Sequence, residues 1–435
     1  MGTRHRPFAL RFDVLAAAAV VAGAGCGSDH AAGQAPSGDA SSDAGVIAED
    51  APGGGGAPLD GSTGGTESGA GPEADAARDA GANPDTGGGS GGVDGGALGG
   101  LHVEGAKLVD NGKTVRLLGV NISGTETYCE QGIGIFQAPT MGGGVDPAVV
   151  SAMKSWNVNA VRVPLNEDCW LGINGVKAQY GGQNYAGAIS GFVQQLRGAG
   201  MYVILDLHWN APGSSLATGQ QPMADADHSP AFWAAVAAAF KGDLGVVFDL
   251  YNEPNVDGGN VTAASWQCWR DGCSVSNWSG FMGSAKTAGM QQLVSAVRGA
   301  GAGNVIMLGG LGDAEFVDPN WLTYEPTDTL TPANLAASHH NYSFNGGCNK
   351  QGCWTTNLAA VLAKVPIITG ELGENDCAHG YVDSYFAWAD PLGISYLGWT
   401  WNNWDCGSGP SLVKDFYGTP TSTYGEGFKA HLLTQ

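Results

Sequence analysis

Two glutamates each close a short apolar stretch of the sequence. Glu253 follows the run Val247-Phe-Asp-Leu-Tyr-Asn, and Glu371 ends the segment Pro366-Ile-Ile-Thr-Gly-Glu. A charged side chain is costly to bury unless it is paired, so carboxylates at the ends of buried segments indicate a site. Two carboxylates that face each other are the minimum equipment for acid/base hydrolysis of a glycosidic bond.

The segments that carry these glutamates belong to a regular alternation of predicted strands and helices. Eight segments are apolar on both faces, as parallel strands covered by helices are; they are Leu117–Asn121, Ala160–Pro164, Tyr202–His208, Val246–Asn252, Val305–Gly309, Ala336–His340, Pro366–Glu371 and Ile394–Trp401. Helices are predicted between them at 146–156, 187–199, 230–240, 284–299, 356–364 and 380–389. The connection between the fifth and sixth strands has the weakest helical pattern.

Eight such units in residues 101–435 predict a (β/α)8 TIM barrel. A doubly wound open sheet is the alternative, but no glycine-rich phosphate turn follows the first strand. A small β-hairpin over residues 101–116, with its turn at Asp110-Asn111-Gly112, precedes the barrel.

The barrel predicts where chemistry should lie, because active sites of this fold sit at the carboxyl-terminal ends of the strands. The polar residues at those ends are Asn121, Arg162, His208, Asn252, Glu253, His340, Tyr342 and Glu371, with Trp399 and Trp401 on the eighth strand. Glu253 and Glu371 end the fourth and seventh strands, so they face each other across the barrel mouth.

These motifs resemble glycoside hydrolase family 5, in the clan of retaining TIM-barrel glycosidases (cellulase family A). The resemblance covers roughly residues 115–410 and follows the family's order: Val-Arg-Val-Pro around Arg162, Asp-Leu-His-Trp around His208, Leu-Tyr-Asn-Glu-Pro around Glu253, His340-Asn-Tyr342, Thr-Gly-Glu371 and a tryptophan on the eighth strand. Asn-Glu-Pro alone is a weak signal, whereas seven motif positions in order on the correct strand ends are a strong one.

The resemblance implies a role for the two glutamates and for two neighbours. Glu253 is expected to be the acid/base, which protonates the leaving oxygen and then deprotonates water. Glu371 is expected to be the nucleophile that forms a covalent glycosyl-enzyme. Arg162 and Tyr342 are expected beside Glu371, where opposite charge and hydrogen bonding keep a carboxylate ionised. Glu374 and Asp376 compete as nucleophile, but they lie past the strand end.

The resemblance also implies residues that bind the substrate. Asn252 is expected to hold the sugar 2-hydroxyl, a contact that strengthens in the transition state. His208 and His340 are expected to bind substrate hydroxyls or to orient the acid/base. Trp401 is expected to form the floor under the sugar in the −1 subsite; because the register of Gly398-Trp-Thr-Trp-Asn402 is ambiguous by two, Trp399 is the alternative.

Three other interpretations compete with this one. Arg162 and Glu371 could form a purely structural ion pair. A metal hydrolase could use Asp206, His208, Asp225, Asp227 and His228, but the first strand has no H-x-H and the chain has no H-E-x-x-H. We therefore expect neither metal nor cofactor. A non-catalytic carbohydrate-binding barrel is the third possibility, against which the presence of both glutamates argues.

Charge and composition divide the chain into three parts. Residues 27–100 contain twelve acidic residues, one basic residue and no Phe, Trp or Tyr, so we expect a disordered linker. All 13 tryptophans lie in residues 101–435, which we expect to be the catalytic domain. With 19 Lys and Arg against 41 Asp and Glu in the whole chain, a nucleic-acid partner is not expected.

Residues 1–26 have the pattern of an export signal. Arg4, Arg6 and Arg11 precede an apolar run over residues 14–22 that is too short to span a bilayer. The following Gly23-Ala24-Gly25-Cys26 resembles a bacterial lipoprotein box, although Gly23 stands where such boxes usually have Leu. We expect a monomer that is exported and lipid-anchored at Cys26, with free secretion as the alternative.

The eight other cysteines support export, because disulfides persist in oxidising compartments. Cys268 with Cys273 and Cys348 with Cys353 have the spacing of local loop staples. The remaining four follow strands that neighbour each other in the barrel, which favours Cys129–Cys169 and Cys377–Cys406. Eight cysteines permit 105 pairings, so this connectivity is a hypothesis.

The expected substrate is a β-linked polysaccharide, and the expected activity is endo-hydrolysis of β-1,4-glucan. β-Mannan, or another β-glucan or β-glycoside, is the alternative within the family. For a retaining enzyme we expect the two carboxyl groups to be about 5–5.5 Å apart, against about 6.5–9.5 Å for an inverting one.

Overall fold

The structure is a computed structural model that describes residues 100–405 and 407–435. The expected signal segment at 1–26, the linker at 27–100 apart from its last residue, and Cys406 lie outside the described residues. Within the described ranges, no helix is both long enough and apolar enough to cross a membrane.

A closed barrel of eight parallel strands forms the centre of the fold. The strands, in chain order, are β1 (Leu118–Asn121), β2 (Ala160–Asn166), β3 (Tyr202–Trp209), β4 (Val246–Asp249), β5 (Ile306–Gly309), β6 (Leu335–Tyr342), β7 (Ile367–Gly373) and β8 (Ser395–Gly398). Each pairs with the next in the sequence, and β8 closes the ring on β1. The predicted TIM barrel is confirmed, and each strand overlaps its expected segment, although β4 ends at Asp249 before the predicted Asn252 and β8 ends at Gly398 before the predicted Trp401.

Helices follow the strands and cover the outside of the barrel. The main ones are Pro147–Ser155, Gln183–Gly198, Ser229–Phe240, Met290–Gly299, Gly380–Ala389 and Tyr424–Leu432. A further helix lies at Ala263–Asp271, and shorter ones lie at Tyr128–Gln131, Glu167–Leu171, Pro319–Thr323 and Asp390–Leu392. A continuous helical segment is made of Gln351–Cys353, Trp354–Leu358 and Ala359–Leu362. The weak fifth-to-sixth connection contains only the five residues of Pro319–Thr323 as helix.

The helix expected at 284–299 begins later than predicted, at Met290. Ala285–Lys286 instead pairs in antiparallel fashion with Ser274–Val275, next to the loop closed by the Cys268–Cys273 disulfide. Gly289 then allows a close crossing of two backbone segments, because a Cβ at this position would lie 2.3 Å from the carbonyl oxygen of Arg270. The local pairing overrides the helical propensity of the first six residues.

The amino-terminal segment closes one end of the barrel. The expected hairpin is present as Lys107–Asp110 paired with Lys113–Val115, and His102–Glu104 adds a third antiparallel strand. Side chains from this sheet form an apolar cluster with residues near the beginnings of the barrel strands; the cluster contains Leu101, Val103, Leu108, Ala160, Ile204, Val247, Ala336, Ile368 and Leu397. The sheet therefore covers the amino-terminal end, and the polar strand ends lie at the opposite mouth.

Three disulfides join the loops beyond the strands. Cys129–Cys169 links the segments that follow β1 and β2, and Cys268–Cys273 and Cys348–Cys353 each close a five-residue separation. These three predicted pairs are confirmed. Cys377 is disulfide-bonded, whereas its predicted partner Cys406 lies outside the described residues, so that pairing stays a prediction.

Candidate active site

The carboxyl-terminal mouth of the barrel holds a connected network of polar side chains. Hydrogen bonds and ion pairs link residues contributed by β2, β3, β4, β6 and β7. Seven of the residues expected at the site belong to this network, namely Arg162, His208, Asn252, Glu253, His340, Tyr342 and Glu371. The strand pairing explains why residues so far apart in sequence meet, because parallel strands in a ring direct their carboxyl ends to one mouth.

Arg162 is the centre of this network and is completely buried. Its Nε lies 3.0 Å from Oδ2 of Asp249, its Nη2 lies 3.0 Å from Oδ2 of Asp206, and its Nη1 lies 2.8 Å from Oε1 of Glu371. Nη2 also donates to Oδ1 of Asn252 at 2.9 Å. The three carboxylates raise the pKa of Arg162 despite its burial, so the guanidinium is a fixed positive charge.

Glu371 is held in an ionised state by its surroundings. Burial by itself would raise the pKa of this carboxyl, but His340, Arg162 and His208 act in the opposite direction and the Tyr342 hydroxyl donates to it. The net effect lowers the pKa of Glu371 below its ordinary value. The Tyr342 hydroxyl lies 2.5 Å from Oε2, while Arg162 occupies Oε1. Both carboxylate oxygens are therefore oriented by a donor.

Glu253 has a more open environment. Its side chain is 17% exposed, against 5% for Glu371. Nδ1 of His340 lies 3.0 Å from Oε1 of Glu253 and 3.6 Å from Oε2 of Glu371, so this imidazole contacts both carboxylates. Burial lowers the pKa of His340, and the two glutamates raise it to give a net increase. Oxygens of Glu253 and Glu371 lie within 4.8 Å of each other.

Gln220 contacts both residues of the Asn252-Glu253 pair and was missed by the sequence analysis. Its Nε2 donates to Oε2 of Glu253 at 3.0 Å and to the Glu253 carbonyl oxygen at 3.2 Å. Its Oε1 accepts a hydrogen bond of 3.2 Å from Nδ2 of Asn252. Gln220 lies in the long loop after β3, which has no periodicity or motif, so no sequence signal marked it.

Three further buried polar residues support the network. Asp206 accepts from Nδ1 of His208 at 2.6 Å as well as pairing with Arg162. Asn121, at the end of β1, accepts from Nη1 of Arg162 at 3.2 Å and donates to the Gly370 carbonyl oxygen at 2.8 Å. Asn121 was expected at its strand end, whereas Asp206 and Asp249 lie within strands, where alternation alone did not distinguish them from residues that only pack.

His208 and Trp399 form one wall of the network. Their rings are stacked, with centroids 5.7 Å apart and an angle of 11° between the planes. Burial lowers the pKa of His208. The carboxylates of Asp206, Glu126 and Glu371 raise it, and their combined effect outweighs that of burial, so the net shift is upward. Trp399 directly follows β8 and is half-buried, which leaves part of its indole exposed at the mouth.

The expectation that Trp401 forms the floor of the site is wrong, because this side chain lies in the core. It is completely buried, packs edge-on against Trp156 at 4.7 Å between centroids, and donates from Nε1 to the Phe416 carbonyl oxygen. The strand β8 ends at Gly398, so both tryptophans lie beyond it, and of the two it is Trp399 that stacks on His208. Trp399 is therefore the tryptophan beside the polar network.

The competing nucleophile candidate Glu374 and three other buried residues near the strand ends lie outside this network. Oε2 of Glu374 accepts from the Tyr381 backbone amide at 3.0 Å and has no contact with Arg162. His339 is fully buried, and burial lowers its pKa to about 3, so its ring is neutral. The tryptophans Trp266 and Trp269, which follow β4, are also buried and pack against each other.

Two groups of described residues have the donor types and spacing to hold a metal ion. One consists of Glu253, His340 and Glu371. The other, made of Glu167, Asp225 and His228, shares no residue with the first. Within the first group, His340 acts together with Arg162 to lower the pKa of Glu371.

A (β/α)8 barrel whose carboxyl-terminal mouth holds two close carboxylates, one more buried than the other, has the architecture of the barrel glycoside hydrolases. The model of the family described as Cellulase (glycosyl hydrolase family 5) matches residues 111–405. The chain belongs to this family.

Relatives in the family are distant from this chain. It is 22% identical over 338 residues to an endoglucanase from Streptomyces lividans, with 75% of this chain and 61% of the relative covered. It is 23% identical over 318 residues to a mannan endo-1,4-beta-mannosidase from the same organism, covering 70% of this chain and 67% of that relative. The chain thus spans less than two thirds of the endoglucanase.

Solved structures agree on the fold. A beta-glucanase from Saccharophagus degradans superimposes with a TM-score of 0.56 at 20% identity, covering 78% of this chain and 94% of that one. The catalytic domain of an endoglucanase from Thermobifida fusca superimposes with a TM-score of 0.53 at 17% identity, covering 77% of this chain and 97% of that domain. A beta-mannanase from Streptomyces thermolilacinus superimposes with a TM-score of 0.53 at 20% identity, covering 78% of this chain and 96% of that one.

Proposed function

We propose that this chain is a retaining endo-β-1,4-glucanase in which Glu371 is the nucleophile and Glu253 the acid/base. The observation that carries the proposal is the asymmetry of the two carboxylates. Glu371 is buried, ion-paired with Arg162 and bonded to Tyr342, whereas Glu253 is more exposed and contacts Gln220 and His340 but no arginine among the described residues. Enzymes that use two carboxylates for different tasks need different environments for them.

In the first step, ionised Glu371 attacks the anomeric carbon while Glu253 donates its proton to the glycosidic oxygen. The carbon–oxygen bond to the leaving sugar breaks as the ester bond to Glu371 forms. In the second step, Glu253, now ionised, takes a proton from water as that water attacks the anomeric carbon. The ester bond breaks, and both carboxyl groups return to their starting states.

The distance between the glutamates supports retention. Their nearest donor oxygens lie within 4.8 Å of each other, which suits direct attack by Glu371. Inverting enzymes keep the carboxyls about 6.5–9.5 Å apart to leave room for a water molecule between base and sugar.

The other residues of the network are assigned to substrate positioning. Asn252, which Arg162 and Gln220 hold in place, is proposed to bind the 2-hydroxyl of the sugar at the reacting centre. The half-exposed indole of Trp399 offers an apolar face for the same sugar ring. His208 and His340 orient hydroxyls and the acid/base respectively, since His340 contacts Glu253.

The substrate is the part of the proposal with a specific alternative. Both an endoglucanase and a mannan endo-1,4-beta-mannosidase are among the relatives, at nearly equal identity. Release of reducing sugar from carboxymethyl-cellulose, glucomannan and mannan, measured side by side, distinguishes them. We expect release from carboxymethyl-cellulose and glucomannan; release from mannan alone would make the chain a mannanase.

A carbohydrate-binding barrel without catalysis is tested by the same assay with two variants. Glu253→Gln and Glu371→Gln should each abolish release while the protein remains folded. Glu374→Gln is the matched control, because it removes a buried carboxylate that lies outside the network. No release by the wild-type protein from any β-glycan, with binding retained, would favour the non-catalytic interpretation.

We also propose that the chain is exported, anchored through lipid on Cys26 and monomeric. The basic head, the short apolar run and the lipobox-like Gly23-Ala24-Gly25-Cys26 support the anchor, and the acidic, aromatic-free stretch that follows supports a linker at 27–100. Mass spectrometry of the mature amino terminus tests the anchor. A mature protein that begins at Gly25 without lipid would contradict it, and light scattering of the mature chain tests the monomer.

A further inference from the structure

A second cluster of acids and a histidine lies beyond the ends of β2 and β3. Glu167 is the first residue of the helix Glu167–Leu171, and its side chain is fully buried. Asp225 and His228 end the long loop after β3, directly before the helix Ser229–Phe240. One donor atom from each of the three side chains lies within 4.8 Å of the other two.

One carboxylate oxygen in this cluster lacks a partner. Oε1 of Glu167 is buried and accepts no hydrogen bond from any residue that the structure describes. Its sister oxygen Oε2 accepts from the Ser229 hydroxyl at 2.5 Å. Nδ1 of His228 faces the cluster, 3.9 Å from Oε1 of Glu167 and 3.7 Å from Oδ1 of Asp225. A buried, unpaired carboxylate oxygen is costly, so its position calls for a ligand.

The negative charge of the cluster also indicates that a ligand is needed there. Among the described residues, no lysine or arginine forms an ion pair with Glu167, Asp168 or Asp225. Glu167 and Asp225 are both completely buried, and buried carboxylates without an opposite charge are costly.

We propose that Glu167, Asp225 and His228 bind a divalent cation that has no part in the hydrolytic reaction. Two carboxylates with one imidazole form a mixed oxygen and nitrogen donor set, which suits Mn²⁺ or Zn²⁺ better than Ca²⁺ or Mg²⁺, both of which prefer oxygen alone. The carbonyl oxygen of Ala211 lies 3.5 Å from Nδ1 of His228 and is a further potential oxygen ligand beside the three side chains.

The ion has a structural consequence for the active site. It joins the segment after β2 to the end of the loop that spans residues 210–228. That loop carries Gln220, whose amide contacts Glu253 and Asn252. Asn210, at the beginning of the loop, donates to Oδ2 of Asp225 at 2.9 Å, so both ends of the loop meet at the proposed site. Cation binding would therefore fix the loop at its base.

The test is a Mn²⁺ titration of the mature full-length protein after a chelator has removed bound metal. Electron paramagnetic resonance measures the free Mn²⁺ at each step of the titration. Mn²⁺ avoids thiolates, which makes it a cleaner probe than Zn²⁺. We expect one tightly bound ion per chain and a melting temperature that rises with Mn²⁺ concentration. Both effects should persist in Glu371→Gln, which disrupts the other group of potential ligands, and in the matched control Glu374→Gln, whose Oε1 is also buried and unpartnered.

Glu167→Gln should lose the tight ion and the Mn²⁺-dependent rise in melting temperature. If that variant does not fold, His228→Gln decides, because His228 is half-buried at the end of a loop. Equal tight binding by the wild type and the Glu167 or His228 variants would overturn the proposal. So would loss of the ion in Glu371→Gln alone. No tight ion in the wild type, with Glu167→Gln more stable, would show that a proton shared by Glu167 and Asp225 occupies the cluster.

Discussion

Arg162 and Glu371 form a buried ion pair across the barrel, 2.8 Å between Nη1 and Oε1, with side chains that are 0% and 5% exposed. The pair does not stand alone, because Asp206 and Asp249 bind the other nitrogens of the same guanidinium. Removing one member of a buried network leaves the others uncompensated. The arrangement therefore fixes where Glu371 points as well as its charge.

Tyr342→Phe tests the ionisation of Glu371. Burial raises the pKa of Glu371, and the Tyr342 hydroxyl is one of the groups that lower it to below its ordinary value. Loss of the hydroxyl should raise that pKa, so the acid limb of the kcat/KM profile should move to higher pH, because Glu371 must be ionised to attack. Tyr381→Phe is the control, since the Tyr381 hydroxyl donates to Asn341 at 2.7 Å. An acid limb that stays in place in Tyr342→Phe would exclude this role.

Gln220→Ala tests the positioning of Glu253. We expect kcat to fall roughly ten- to hundredfold with little change in KM, because a misplaced acid/base affects the reaction more than binding. Thr218→Ala, an exposed position of the same loop, is the control. A rise in KM with unchanged kcat would instead assign Gln220 to substrate binding.

The two tryptophans after β8 give a matched pair of variants. Trp399→Ala should raise KM about two- to tenfold, because a stacking face at the mouth is lost, with little change in stability. Trp401→Ala should lower the free energy of unfolding by about 3–5 kcal/mol, because it leaves a cavity in the core. Steady-state kinetics and chemical denaturation measure the two effects. Exchanged outcomes would mean that Trp401 lines the site.

Asp390 gives a prediction about stability and pH. Burial raises its pKa, but His431, Arg116 and Tyr396 together lower it to about 2. A carboxylate whose pKa is lowered in the folded state stabilises the protein at every pH above the pKa of the same group in the unfolded chain, which is about 3.9. This contribution is lost as the pH falls through about 2. Because Asp390 is partly exposed and solvent screens its charge, Asp390→Asn should be about 1 kcal/mol less stable near neutral pH. Denaturation at pH 7 and pH 2 should show the difference shrinking in acid; a difference independent of pH would contradict the assignment.

The sequence predicted the part of the site that the barrel itself determines. Arg162, Glu253, His340 and Glu371 could be grouped because parallel strands bring their carboxyl ends to one mouth, whatever the sequence distance between them. The strand ends are set by hydrophobic pattern, which is readable from residues alone. Their meeting in one hydrogen-bonded network follows from topology.

Features that depend on loops could not be predicted in the same way. Gln220 reaches Glu253 from a long irregular loop, where no period tells which side chain points inward. Trp399 and Trp401 could not be separated, because the choice depends on where β8 ends and how the chain turns afterwards. The late start of the helix at Met290 depends on a contact of Gly289 with Arg270, which is a tertiary event.

The most direct test of the proposed mechanism is the stereochemistry of the first product. Proton NMR of the new reducing end, recorded during the first minutes of hydrolysis before mutarotation, reports which anomer is released. Two displacements at the same carbon, with Glu371 as the nucleophile and Glu253 as the acid/base, predict that the β-anomer appears first. Initial release of the α-anomer would mean a single displacement by water and would contradict the covalent role of Glu371.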